Sequence, residues 1–89
     1  MVTKYEFSNR IEYRNKKGNL HRLDGPAREW IDGSKEWWLN GEYHREDGPA
    51  IEFSVGTKKW YLNGEYYTEQ EWQQEIIKIK LERLKNYGN

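Results

Sequence analysis

Polar and hydrophobic residues alternate in short bursts over most of the chain, and the period changes once, after Tyr67. Tyr5, Phe7, Ile11 and Tyr13 supply the first strand-like alternation. Ala27–Ile31 and Ala50–Ser54 alternate between turn residues, and Lys35–Leu39 and Lys58–Leu62 are aromatic runs that end at Asn40-Gly41 and Asn63-Gly64. Asn-Gly is the strongest short-range hairpin signal, because both residues tolerate positive φ. Asp32-Gly33 and Val55-Gly56 mark the turns at the other ends. Pro26 and Pro49 lack a backbone donor and belong in loops or at strand starts. Asp24-Gly25-Pro26 and Asp47-Gly48-Pro49 therefore read as tight structural corners, each Asp capping nearby backbone N–H groups. Successive strand side chains point to opposite faces, so Trp37 and Trp60, in phase with Leu39 and Leu62, are assigned inward. Trp38 and Tyr61 are assigned outward, near Arg28 and Glu36 or their counterparts.

Beyond Tyr67 the apolar residues recur at helical spacing. Thr68-Glu69-Gln70-Glu71 fits a capping box with Thr68 as N-cap, and residues 69–87 read as a helix. Trp72, Ile76, Ile77, Ile79, Leu81, Leu84 and Tyr87 fall on a broad apolar arc, with Glu71, Gln74, Glu75, Lys78, Glu82 and Lys85 opposite. Acids in the first turns and bases in the last suit the helix dipole, and Gly88 is placed to close the helix at C′. Trp72 and Ile76 are expected to lie on the last hairpin and cover its apolar end and open edge. Ile77, Leu81 and Leu84 are left over as a surface for a partner helix or a second copy, and a homodimer through this segment is expected.

Residues 20–42 and 43–65 align without a gap and are identical at 14 of 23 positions. Each carries HRxDGPA, a turn glycine, and a Trp-aromatic-Leu-Asn-Gly-Glu ending, which makes them two copies of one structural unit. A degenerate half-unit, 1–19, precedes them: Gly18 lies 23 residues before Gly41, with Leu20-His21-Arg22 following it as Tyr43-His44-Arg45 follows Gly41. The expected organisation is a β-hairpin repeat sheet over 1–67 and a C-terminal amphipathic helix over 68–89.

Composition sharpens this picture. Mean hydropathy is -1.25, yet 16% of the 89 residues are aromatic, including five Trp and seven Tyr. The core must be built largely from rings, each able to bury about 150–250 Å². The absence of cysteine excludes disulfides, thiolate metal sites and a Cys nucleophile. MVTKYEFSNR has no apolar stretch of a secretory signal, and no run approaches the ~20 residues of a membrane span, so a cytoplasmic location is expected. Net charge is zero, but residues 1–26 hold six bases against three acids and residues 27–66 five against eight. That is no general nucleic-acid footprint.

Few residues invite chemistry. His21-Arg22-x-Asp24 and His44-Arg45-x-Asp47 could form an anion pocket at the Gly-Pro corners. Alternatively they hold the unit together, with Asp capping the turn, His packed on a Trp face and bonded to a carbonyl, and Arg stacked. One appearance per unit favours architecture. Trp30, Trp38 and Tyr61, with Ile77, Leu81 and Leu84, are the candidate partner-binding residues, since aromatic residues dominate binding hot spots. Arg10, Arg14, Lys16, Lys17 and Arg22 make a loose basic patch interleaved with Glu6 and Glu12, which reads as a solvated loop. No metal-binding, phosphate-loop or nucleophile motif is present, so no enzyme, metal or cofactor is expected.

The unit, Trp-aromatic-x-Asn-Gly-x-x-His-x-x-Asp-Gly-x-Ala with a 23-residue period, resembles the MORN repeat, and more closely the divergent HRxDGPA variety common in bacteriophage and large-virus proteins. The resemblance covers roughly residues 11–66. It implies stacked antiparallel hairpins in a meander sheet, protein scaffolding or contact with a lipid headgroup, and no catalysis. Arg45 and Pro26 stand where the better-known MORN pattern has Gly, which weakens any transfer of function. The resulting expectation is a non-enzymatic, phage-encoded protein that binds and modulates a host or viral protein, for instance by inhibiting a defence enzyme. An anion or headgroup binder and a virion component that self-associates through the helix are the alternatives.

Overall fold

The computed structural model describes residues 1–87. The chain is mainly β, with one helix at its C-terminal end. Strands β1 (Thr3–Glu6), β2 (Arg10–Arg14), β3 (Arg28–Trp30), β4 (Lys35–Glu36), β7 (Ile51–Glu52), β8 (Lys58–Leu62) and β9 (Glu65–Tyr67) form one antiparallel seven-stranded sheet in that order. The short pair β5 (Trp38–Leu39) and β6 (Glu42–Tyr43) forms a second sheet around the first Asn-Gly turn. Helix α1 spans Glu69–Tyr87. The molecule is a flat slab, 48 × 31 × 17 Å.

The turns obey the sequence. Asn40 and Gly41 have φ of 50° and 82°, and Asn63 and Gly64 51° and 81°, the conformation a tight two-residue hairpin demands. Successive units are stitched at these turns, Gly41 N–H donating to Leu20 O and Gly64 N–H to Tyr43 O. Ala27 and Ala50, the last residues of each DGPA corner, are fully buried. Trp37 N–H donates to Ala50 O and Ala27 N–H to Glu36 O, so these corners return the chain to the next strand beneath its neighbours.

Each strand pair presents two faces. One carries Trp60 and Leu62 and is covered by α1, where Leu62, Trp72 and Ile76 are buried with Trp60, Tyr67 and Ile79 packed around them. The rings of Trp60 and Trp72 lie 4.7 Å apart. The opposite, open face carries Arg10, Glu12, Arg14, Arg28, Glu36 and Trp38 in registered pairs such as Glu12↔Arg28 and Arg28↔Glu36. The helix begins as the capping box predicts: Thr68 N–H donates to Glu71 Oε1 (3.0 Å) and Glu71 N–H to Thr68 Oγ1 (3.2 Å). The closing turn expected at Gly88, and the side chain of Tyr87, lie outside the described residues.

The helix divides its apolar residues as expected. Trp72, Ile76 and Ile79, at i, i+4 and i+7, face the sheet. Ile77, Leu81 and Leu84 form a second stripe at the same spacing and are 58%, 54% and 67% exposed. The two stripes lie on different sides of the helix, so one flat sheet covers only the first. The helix packs on the face of β8 and β9, and β9 remains the last strand of the sheet.

Candidate functional site

The HRxDGPA corners are the most chemically dense part of the sequence, and the same geometry recurs in both. Arg22 Nε donates to Asp24 Oδ1 (3.0 Å) and its Nη1 to Pro26 O (3.1 Å). Arg45 Nε donates to Asp47 Oδ1 (2.8 Å), and its Nη1 to Pro49 O (3.1 Å) and Glu52 Oε2 (2.9 Å). Each arginine thus folds back over its own corner. Gly25 and Gly48 make the room: a Cβ on Gly48 would stand 2.8 Å from Arg45 Cζ, and one on Gly25 3.1 Å from Arg22 Cζ. The other side of each guanidinium rests on a ring of the preceding hairpin, Arg22 over Tyr13 (4.0 Å) and Arg45 over Trp37 (3.7 Å). The aspartates therefore bind arginine instead of capping backbone N–H groups as expected, because a fork of charged donors outcompetes a neutral amide.

The histidines also differ from expectation. His21 Nδ1 accepts from Asn40 N–H and His44 Nδ1 from Asn63 N–H, both at 2.9 Å. A ring nitrogen that accepts an amide proton carries none itself, so Nε2 holds the hydrogen. In His44 that Nε2–H points to Glu46 Oε2 at 3.2 Å. Each histidine thereby pins the Asn-Gly turn 19 residues ahead of it. Glu46 also receives Arg83 of the helix, with contacts of 2.8 and 2.9 Å, and Trp72 Nε1 donates to Arg45 O. The first unit has Leu23 where the second has Glu46, and Leu23 is 83% exposed.

Between these two corners runs an open cleft of about 780 Å³. Trp37 and Leu39 line it, with Arg22–Gly25 and His44–Asp47 beside them and Lys80 of the helix at its margin. It brings together His44, Arg22, Arg45, Asp24, Gly25 and Asp47 of the predicted residues. Its two arginines already hold carboxylates and carbonyls of the same chain.

The open face is where sequence reasoning missed most. Glu12 is 1% exposed and accepts from Arg10 (2.8 Å), Arg14 (3.0 Å) and Arg28 (3.0 Å). Burial acts to raise its pKa, but the hydrogen bonds from Arg10 and Arg14 and the nearby charge of Arg28 outweigh it and hold the carboxyl below its ordinary range. Glu36 accepts from Arg28 (3.2 Å), Trp30 Nε1 (2.7 Å) and Trp38 Nε1 (2.8 Å). A row of rings continues from there, Trp38–Tyr43–Tyr61–Tyr66, with centroids 3.9, 4.9 and 5.5 Å apart. Arg10 and Arg14 are thus anchors of a lattice, and Lys16 and Lys17 stand in an exposed turn. The visible signal was Arg-x-Glu-x-Arg, which puts three charges on one strand face. Trp30, Trp38 and Tyr61 lie half-buried in this lattice, on the side of the sheet away from the helix and its stripe, so the six predicted partner-binding residues do not form one surface.

Among the described residues no group of histidines and carboxylates could hold a metal ion, no buried side-chain polar atom lacks a hydrogen-bond partner, and no helix is long and apolar enough to cross a membrane. Set against family profiles, curated proteins and solved structures, the chain matches none of them.

Proposed function

We propose that this chain is a non-enzymatic interaction module, MORN-like in its repeat, that grips a protein partner through the outer stripe of its helix. One observation carries the reading: Ile77, Leu81 and Leu84 stay more than half exposed at helical spacing after the core has taken Trp72, Ile76 and Ile79. Exposed apolar residues in a continuous stripe mark interaction surfaces more often than isolated ones do. Lysines flank the stripe. Lys80 lies three residues after Ile77 and four before Leu84, and Lys78 and Lys85 border the other side, each ion-paired with the glutamate three residues before it. An amphipathic segment with acidic flanks is the partner this rim fits. A second copy of the same helix would bring lysine against lysine, which argues against pairing through this stripe.

The corner arginines support the same choice. They are engaged within the fold, which favours an architectural role over the small-anion or headgroup reading. Origin in a phage and action on a host protein such as a defence enzyme follow from the resemblance of the repeat and belong to the same proposal. The test is capture from host extract with the intact chain and with the Ile77→Ser/Leu81→Ser/Leu84→Ser variant. A stoichiometric partner retained by the first and lost by the second, at equal thermal stability, is the expected result. Equal capture by both overturns the stripe as the docking surface.

A further inference from the structure

We infer that strand β1 is a self-complementary edge through which two copies of this chain join their sheets. All four residues of β1, Thr3–Glu6, are exposed, and β1 is an outermost strand of the seven. The other outermost strand, β9, is only three residues long and carries the helix on its face.

The backbone fixes what β1 can accept. Lys4 lies opposite Tyr13 and Glu6 opposite Ile11. Tyr13 N–H donates to Ala27 O, on the far side from β1, so Lys4↔Tyr13 and, two residues on, Glu6↔Ile11 are non-hydrogen-bonded pairs. The N–H and C=O groups of Lys4 and Glu6 therefore point outward to the open edge. An antiparallel newcomer must match outward groups with outward groups. For a second β1 centred on this strand, only three registers meet that condition: Lys4 opposite Lys4, Glu6 opposite Glu6, or Lys4 opposite Glu6. The first two oppose like charges, which destabilises a strand pair, whereas the third opposes unlike charges, which stabilises it. Two-fold symmetry makes the favourable pair occur twice.

Neither charge is otherwise engaged. Across from them β2 offers an aromatic and an aliphatic side chain, and among the described residues neither Lys4 nor Glu6 has an ion-pair partner. An unbalanced lysine is a common device for keeping a sheet edge unpaired; here a glutamate two residues away cancels it. The favoured register also sets Tyr5 against its own copy on the symmetry axis and Thr3 against Phe7, with Tyr5 and Phe7 45% and 46% exposed. Both open faces then lie on the same side and run together across the seam. Strands this short bury less than the roughly 1,600 Å² of a standard interface, so the dimer is a weak one.

Sedimentation equilibrium of the full chain up to about 1 mM, a concentration at which even a contact worth about 4 kcal/mol is half formed, tests this. A monomer–dimer equilibrium is expected. Lys4→Glu alone and Glu6→Lys alone should each weaken it about tenfold, given symmetric loss of two cross-strand pairs, and the Lys4→Glu/Glu6→Lys exchange should restore it. Tyr5→Cys should form an inter-chain disulfide on oxidation, since opposed non-hydrogen-bonded residues have Cα atoms about 4.5 Å apart, within disulfide reach. A monomer throughout, a dimer indifferent to the single charge reversals, or a double exchange that fails to restore pairing overturns the inference. A dimer lost only in the Ile77→Ser/Leu81→Ser/Leu84→Ser variant overturns it as well and assigns self-association to the helix. The partner reading above stands or falls independently.

Discussion

Glu12 is ringed by three arginines whose side chains keep 21–33% of their exposure while it keeps 1%. Replacing it with Gln removes the charge all three serve, although each arginine can still turn partly toward water. The expected cost is about 2 kcal/mol, the range for hydrogen bonds to charged groups, read as a lower urea midpoint at unchanged slope. Glu46 is also held below the ordinary glutamate value of 4.5, chiefly by its hydrogen bond from Arg83, against burial. A carboxylate with a lowered folded pKa contributes stability that is complete above its unfolded value and is lost as pH falls through the folded one. Glu12 therefore predicts level stability above pH 4.5 and a decline below it, to which Glu46, in a solvent-screened pair, adds little; thermal melts across an acid series check this. Gly48 is constrained by a neighbour instead of by charge. Gly48→Ala should push Arg45 off Trp37 and cost about 1–3 kcal/mol, as overpacking does, with a change in tryptophan fluorescence as its signature.

The helix is held by a cap, a ring and an ion pair of very different worth. Thr68→Ala should cost about 1 kcal/mol, and Trp72→Ala about 3–5 kcal/mol, because it vacates the space between Trp60 and Leu62. Arg83→Ala, at an exposed pair, should be barely detectable. Helical circular dichroism during urea titration ranks the three. The capping box and both Asn-Gly hairpins were legible because each depends on contacts only a few residues apart. That Trp60 and Leu62 share an inward face was legible too, from strand alternation, but not that the helix is what covers it. The division of the helix into a packed side with Trp72 and Ile76 and a left-over side with Ile77, Leu81 and Leu84 was legible as well, because the apolar arc is wider than one contact needs. The role of His21 and His44, whose donor partners, the N–H groups of Asn40 and Asn63, lie 19 residues ahead, was not legible, nor was the match of Tyr13 to Trp37. Both receive the arginine of the next corner, but Tyr13 sits five residues before Gly18 where Trp37 sits four before Gly41, so one extra turn residue hides the equivalence.

In a slab one sheet thick, each unit leans only on its neighbours, and stability accumulates from one to the next. Hydrogen exchange should therefore be slowest in β2, β3, β4, β7 and β8, which have strands on both sides, faster in β1, and fastest in the last turns of α1; uniform protection would contradict this. The difference between Leu23 and Glu46 has a bearing on how such a chain can grow. Glu46 and the carbonyl of Arg45 are the helix's berth, and only the second unit offers the carboxylate. Duplicating residues 20–42 would lengthen the slab from within and leave one berth for one helix. Duplicating 43–65 would create two, and the helix, tied to the last strand through Thr68, would fill the nearer one and leave the other's carboxylate facing water.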